Sequence, residues 1–415
     1  MPSADPLVLV CGADDRYATA LAVTLHSALV HLSSEQELQL YVIDGGIDGD
    51  HRRKLQRTVE RSRPDVSIGW HRPATAELGD LWVSGHVSMA TYFSLLVPEV
   101  VPERFDRAIY LDCDVLVESD LAELWETPLE ERALLAVQDC LIPYVSSPGG
   151  PVRRGVSDVS SAPPYFNAGV LLLNLARWRA EGISERVFRY LRDHHRELTF
   201  WDQEGLNAVL AGDVGLLDPK WNVPTSLLWL ERWPESSFKE RLRGLREDLL
   251  RRPAIWHFVG PSKPWSGGFT HPAGERWHQH RHAAGWPAPP TSDTAGDLCT
   301  WLEEQRLDDA EIADVVPANA SLILVSDACH LPMSVRGRRA LPFLERDGVY
   351  QGNPADDDQA IRELDRMRRS GSRFIVFDRS SLWWLGHYHG FAHHLQSAHA
   401  CIRQSDRLAI FQLSD

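Results

Sequence analysis

The sequence predicts an α/β protein: a domain with a mixed, mainly parallel sheet over residues 1–285, a proline-rich linker over 286–297, and a smaller α/β domain over 298–415. Three observations predict it. Short apolar runs alternate with amphipathic helical patterns from the start of the chain. Acidic residues collect where those runs stop, the edge at which such sheets hold ligands. The stretch Trp286-Pro287-Ala288-Pro289-Pro290-Thr291-Ser292-Asp293 then interrupts the pattern before it resumes.

Leu7-Val8-Leu9-Val10-Cys11 reads as a buried strand that delivers Asp14 and Asp15 to a loop after Gly12. Leu21, Leu25, Ala28, Leu29 and Leu32 follow at helical spacing. Leu38–Ile43 is a second strand stopped by Asp44-Gly45-Gly46, Asp50–Val59 a helix, and Val66–Trp70 a third strand. Cys140–Pro164 is rich in Ser, Gly and Pro, carries Arg153 and Arg154, and is expected to be a long loop that closes over a site. Beyond the linker, Ser321–Val325, Phe374–Phe377 and Leu408–Leu413 read as strands, with a helix over Ala360–Arg369.

Composition excludes several classes. Lys and Arg number 43 against 58 Asp and Glu, a formal net charge of −15, which disfavours a nucleic-acid binder. The start MPSADPLVLVCGADD lacks a basic segment and a long apolar core, so no signal peptide is expected. No run of about 18 apolar residues predicts a transmembrane helix. Cys11, Cys113, Cys140, Cys299, Cys329 and Cys401 form no CxxC pair and fit reduced thiols. The expectation is a cytoplasmic protein, with peripheral membrane association as a variant. Neither G-x-G-x-x-G nor G-x-x-x-x-G-K-[ST] occurs, so a standard dinucleotide or P-loop site is not supported.

The strongest chemical feature is Ala108–Val117, an apolar segment interrupted by Asp112 and Asp114. At i,i+2 the two carboxylates share a face of an extended segment and repel each other, and a divalent cation relieves that repulsion. Alone, D-x-D is a weak signal that a strand-end turn with solvated acids also explains. His257, in Ile255-Trp256-His257-Phe258-Val259-Gly260, is a candidate third ligand for Mn²⁺ or Mg²⁺, and Lys263 a candidate phosphate partner. A lone histidine among aromatics is more often structural.

Five motifs in this order resemble the family 8 retaining glycosyltransferases of the GT-A fold: Ala13-Asp14-Asp15-Arg16-Tyr17, Tyr110–Asp114, Tyr165–Leu175, Asp202–Asn207 and His257–Trp265. The resemblance runs through most of residues 5–270. It implies a Rossmann-like nucleotide-sugar-binding domain with a UDP-hexose donor, UDP-glucose or UDP-galactose, and Mn²⁺, with Mg²⁺ as the second candidate. It implies that Ala13, Asp14 and Tyr17 hold the uridine, with Arg16 beside them. Asp112, Asp114 and His257 would bind the metal, and Gly260 and Lys263 the phosphates. Asp139, Asn167, Ala168, Asp202 and Gln203 would arrange the transferred sugar, with Gln203 and Asp202 nearest the chemistry. Because a neutral amide is a poor nucleophile, front-face displacement is expected over a covalent intermediate.

Two departures stand out. The family usually has Asn where this chain has Arg16, and close relatives often carry a basic residue at the position of Ser94. Two other readings stay open: a catalytically inactive nucleotide-sugar-binding or assembly protein, and a nucleotide-sugar hydrolase. The acceptor, whether a glycan, small molecule or peptide, is unassigned. The C-terminal domain resembles an extension on some bacterial glycosyltransferases and is expected to recognise an acceptor or protein partner, or to support a homo-oligomer. Its cluster Leu382–His389 reads as core packing before recognition, and the alternating His278, His280 and His282 as a solvated helix or loop.

Overall fold

The first apolar run becomes β1 (Leu7–Ala13), buried along its whole length because sheet and helices cover both faces. The computed structural model describes residues 6–73, 78–79, 81, 88–147, 150–151, 163–195, 198, 200–233, 236–260, 263–265, 269, 271–286, 298–326, 333–346, 349–350 and 353–414. After β1 come the helix Ala18–His31, β2 (Leu38–Asp44), the helix Gly49–Ser62 and β3 (Ile68–His71). β4 (Arg107–Leu111), β5 (Val115–Val117), β6 (Leu134–Gln138), β7 (Phe166–Asn174) and β8 (Val214–Leu216) follow.

Seven of these strands form one sheet in the order β3-β2-β1-β4-β7-β6-β8. β1 pairs parallel with β2 and β4, β2 with β3, and β6 with β8; β7 alone runs against its neighbours. The sheet is thus mixed and mainly parallel, as the sequence predicts.

One expected strand is two. The segment Ala108–Val117 breaks after Leu111, so Asp112 and Asp114 do not lie on one face of a continuous extended run. β4 stays in the main sheet, whereas β5 joins a separate three-stranded sheet with β10 (Ile255–His257) and β9 (Val223–Pro224). β5 runs antiparallel to β10 and sets His257 opposite Val115. A turn between two sheets, and not the alternation of one strand, presents the acids.

Contacts group the chain into two compact units, 1–225 with 247–258 and 276–291, and 226–246 with 259–275 and 292–415. The expected division at residue 285 therefore needs correction for 226–246 and 259–275, which pack with the C-terminal unit. Of the expected linker, Trp286 is buried in the first unit and 287–297 lie outside the described residues.

The second unit contains β11 (Ser321–Val325), β12 (Met333–Val335), β13 (Arg338–Pro342), the short pair β14 (Glu345–Arg346) and β15 (Val349–Tyr350), β16 (Phe374–Phe377), β17 (Ala400–Gln404) and β18 (Ala409–Gln412). Its main sheet has the order β12-β13-β11-β16-β18-β17. Trp384, Tyr388 and Phe391 pack into the core of this unit, while Trp383 is 41% exposed. Arg232 explains why 226–246 joins it: the guanidinium is 2% exposed, 2.7 Å from Asp309 and 3.6 Å from Asp378.

In the first unit, His280 on the helix Ala273–Ala283 departs from the solvated reading. Its ring centroid lies 5.4 Å from His26 and 5.7 Å from His31. Desolvation by that packing pushes its pKa down to about 4.

Candidate active site

β1 lies between β2 and β4, so the strand order turns back at its C-terminal end, the usual ligand position in an open sheet of this kind. Ala13 ends β1, and Asp14 caps the single turn Asp15–Tyr17 by accepting the Tyr17 N–H at 3.3 Å. Arg16, 67% exposed, turns back onto Asp14 Oδ2 at 3.0 Å. Desolvation, then the charge of Asp114, push the Tyr17 phenol up to about 12. These four residues share one corner.

The second group is built by the β4–β5 turn and β10. The Thr24 hydroxyl lies 2.9 Å from the Cys113 carbonyl and 2.8 Å from that of Val115, which pins the turn to the helix Ala18–His31. The Asp114 carbonyl accepts the Phe258 N–H at 3.0 Å, just past β10. His257 Nε2 therefore stands 3.4 Å from Asp114 Oδ1 and 3.9 Å from Asp112 Oδ2. Tyr110 donates its hydroxyl to Asp112 Oδ1 at 3.0 Å. Desolvation, then the Asp114 charge, push the Asp112 carboxyl up to about 7, against the opposing pull of His257.

Two carboxylates and an imidazole are a donor set suited to Mn²⁺ or Mg²⁺. Their ligand atoms all lie within 4.8 Å of one another. Bonds of roughly 2.1 Å would draw neighbouring ligand atoms to about 3 Å apart, a modest contraction, so the residues fit a divalent cation. Asp15, Asp48 and His51 also cluster. There Asp15 Oδ1 already accepts the Asp48 N–H at 2.9 Å and lies 2.8 Å from His51 Nδ1, so the group serves the start of the helix Gly49–Ser62.

Gly169 on β7 makes room for His257 and Asp112. A Cβ there would lie 2.3 Å from His257 Cε1, 2.8 Å from its Nδ1 and 2.9 Å from Asp112 Oδ2. No side chain larger than hydrogen fits without moving them.

The third group hangs on two backbone donors of β7. Ala168 N–H donates to Gln203 Oε1 at 3.1 Å, and Gly169 N–H to Asn167 Oδ1 at 3.0 Å. Each amide then presents its NH₂ to the same acceptor, Asp139 Oδ2, at 3.2 Å. Asp139 Oδ1 accepts the N–H groups of Leu141 and Ile142 at 2.8 and 2.9 Å. Asn207, fully buried, clamps the helix Trp201–Val209 to both backbone groups of Phe166 at 2.8 Å. The described residues thus bring Asp139, Asn167, Ala168 and Gln203 into one hydrogen-bonded set.

Asp202 is held separately. Thr91 donates to its Oδ1 at 2.8 Å and Ser94 to its Oδ2 at 3.0 Å. Ser94, read from sequence as the loss of a basic partner, supplies a hydroxyl to this carboxylate. Desolvation pushes the Asp202 carboxyl up to about 6, and the two hydroxyls oppose that rise.

Gly260, at φ +82°, and buried Lys263 lie in the stretch 259–275 that groups with the second unit. Of the expected closing loop, Arg153 and Arg154 lie outside the described residues. Sequence reasoning missed Thr91 and Asn222 and gave no role to Asn207, although that residue ends the motif Asp202–Asn207. Asn222 Oδ1 lies 3.0 Å from His257 Nδ1, and its Nδ2 donates to Asn167 Oδ1 at 2.8 Å. Lys220-Trp221-Asn222-Val223-Pro224 carries no spacing that announces this role.

Among the described residues, no helix is long and apolar enough to cross a membrane.

Comparisons with known proteins converge on one family. General stress protein A of Bacillus subtilis is 30% identical over 282 residues, covering 67% of this chain and 94% of that protein. The lipopolysaccharide 1,3-galactosyltransferase of Salmonella typhimurium is 23% identical and covers 68% and 80%. The crystal structure of the galactosyltransferase LgtC in complex with donor and acceptor sugar analogs aligns at a TM-score of 0.56. It is 26% identical, covering 69% of this chain and 98% of LgtC. The model of glycosyl transferase family 8 matches residues 8–267. The chain belongs to glycosyl transferase family 8.

Proposed function

We propose that this glycosyltransferase moves a hexose from a UDP-sugar, UDP-glucose or UDP-galactose, to an acceptor hydroxyl with retention of anomeric configuration and with Mn²⁺ as cofactor. The observation that carries the reading is the convergence of Asp112, Asp114 and His257 beside the hydrogen-bonded set of Asp139, Asn167, Ala168 and Gln203.

A divalent cation bound there would neutralise charge that gathers on the departing diphosphate. Asp112, Asp114 and His257 would hold it. Tyr17, its phenol kept neutral, offers a flat face to the base, and Ala13, Asp14 and Arg16 border that corner. The phosphate role of Gly260 and Lys263 rests on their place in the motif. Gln203 has both ends of its amide fixed by protein partners, which suits an orienting group and not a nucleophile. Both Asp202 oxygens already accept hydroxyl hydrogen bonds, so an attack by either would sacrifice one. Both facts support front-face displacement, in which positioning supplies most of the rate. In front-face displacement the departing UDP phosphate would take the proton of the acceptor hydroxyl as the new glycosidic bond forms and the sugar–phosphate bond breaks.

Asp114→Asn tests the reading. It removes one charge from the cation site while preserving shape, so Mn²⁺-dependent UDP binding is expected to weaken at least about tenfold and transfer to fall further. Unchanged metal dependence in a folded variant would reject the assignment.

A further inference from the structure

We infer that Asn222 is a positioning residue that selects the metal-binding tautomer of His257 and joins the cation site to the sugar-orienting amides; the inference rests on the metal role proposed above. The argument starts from a group with no freedom. The Gly169 N–H can only donate, and it donates to Asn167 Oδ1 at 3.0 Å. That fixes which end of the Asn167 amide is oxygen. Asn222 meets the same Oδ1 at 2.8 Å, so it must present its NH₂ there.

The other end of Asn222 is then necessarily oxygen. It lies 3.0 Å from His257 Nδ1, and two acceptors cannot share one hydrogen bond. His257 Nδ1 therefore carries the proton and donates it. The neutral ring is left with a lone pair on Nε2, the nitrogen that faces Asp114 and Asp112 at 3.4 and 3.9 Å. One backbone N–H thus sets three side chains in series. Metal-bound histidines are commonly oriented by such a partner on the second nitrogen, and removing it costs roughly 10–100-fold in metal affinity.

The same chain has a second branch. Asn167 Nδ2 donates to Asp139 Oδ2, which also accepts from Gln203 Nε2, each at 3.2 Å. A shift of the His257 ring is therefore transmitted through Asn222 and Asn167 to the residues proposed to orient the sugar. Asn222, 3% exposed, has no room to reorient without leaving one of these groups unpaired.

The test uses the full chain in its metal-free form, ¹⁵N-labelled at histidine, at a pH where the ring is neutral. Two-bond ¹H–¹⁵N correlations, assigned with His257→Gln, report which nitrogen holds the proton. Nδ1–H is expected in the wild type, and Nε2–H there would overturn the inference whatever the enzyme does. Asn222→Ala is expected to mix the tautomers and to weaken Mn²⁺ binding, followed by electron paramagnetic resonance, roughly 10–100-fold. Asn222→Asp keeps an acceptor for Nδ1–H but cannot donate to Asn167. It should keep the tautomer and most of the Mn²⁺ affinity, yet lower kcat with little change in UDP binding. A folded Asn222→Ala with wild-type tautomer and Mn²⁺ affinity would sink the proposal; if it does not fold, the wild-type tautomer and Asn222→Asp decide. Failure of wild type to bind Mn²⁺ would reject the metal reading instead, and with it the assigned purpose of the tautomer.

Discussion

Gly169→Ala adds one methyl group at the point where β7 passes beneath the proposed cation site. The new Cβ would stand 2.3 Å from His257 Cε1, whereas carbon atoms rest at about 3.5 Å or more, so ring or strand must retreat by about 1 Å. The ring has little space to take: its side chain is 6% exposed and its far nitrogen is held by Asn222. The strand is fixed as well, because the Gly169 carbonyl accepts the Asp112 N–H at 2.9 Å. Metal sites tolerate roughly 0.2 Å in ligand position, so a displacement several times larger should cost at least about tenfold in Mn²⁺ affinity. Overpacking should cost a further 1–3 kcal/mol of stability, roughly. Circular dichroism would verify folding before Mn²⁺ and UDP are titrated calorimetrically. Gly244→Ala is the control, since a Cβ there meets nothing within 4 Å. Gly169→Ala that is folded and binds Mn²⁺ as the wild type does would refute the steric argument.

Other expectations follow from the same packing. Asp202 titrates at about 6 against an ordinary 3.8, so the folded chain holds its proton more tightly than the unfolded one. Its proton-linked stabilisation is complete below about 3.8 and disappears as pH rises through about 6, the pH around which the folded chain gains the carboxylate proposed to orient the sugar. Ser94→Ala removes a hydrogen bond that lowers this value and should move the acid limb of the kcat/KM profile up by about one pH unit; an unmoved limb would separate Asp202 from the titration. Arg232→Ala strips Asp309 and Asp378 of a buried cation and should destabilise the second unit by about 3–5 kcal/mol, seen as faster hydrogen exchange in β11 and β16. Exchange at the wild-type rate would show that the network carries no net stability.

What could be read from the sequence was local. Leu7–Ala13 announces itself because burial on both faces leaves a continuous apolar run, and Leu38–Asp44 because its apolar residues stop at the Asp44-Gly45-Gly46 turn. Asp112 and Asp114 stand out because an apolar segment rarely carries two acids. The break between them was not legible, since it depends on β5 leaving the main sheet to pair with Ile255–His257, far along the chain. Ser94 looked like a lost cation because its partner, Asp202, is also distant in sequence. Arg232 gave no sign that it belongs with Asp309 and Asp378, which is why a division drawn at the proline-rich stretch misassigned 226–246. Asn222 has no motif of its own; its role emerges only where three separate segments meet.

The most direct test of metal-dependent retaining transfer is turnover of UDP-glucose and UDP-galactose by the intact chain across an acceptor library, with Mn²⁺ and with chelator. Product mass and anomeric configuration are read together. The expected result is a hexosylated acceptor formed only when divalent metal is present, its glycosidic bond keeping the α configuration of the donor. An inverted product, or transfer at full rate in chelator by a chain still carrying Asp112, Asp114 and His257, would contradict it.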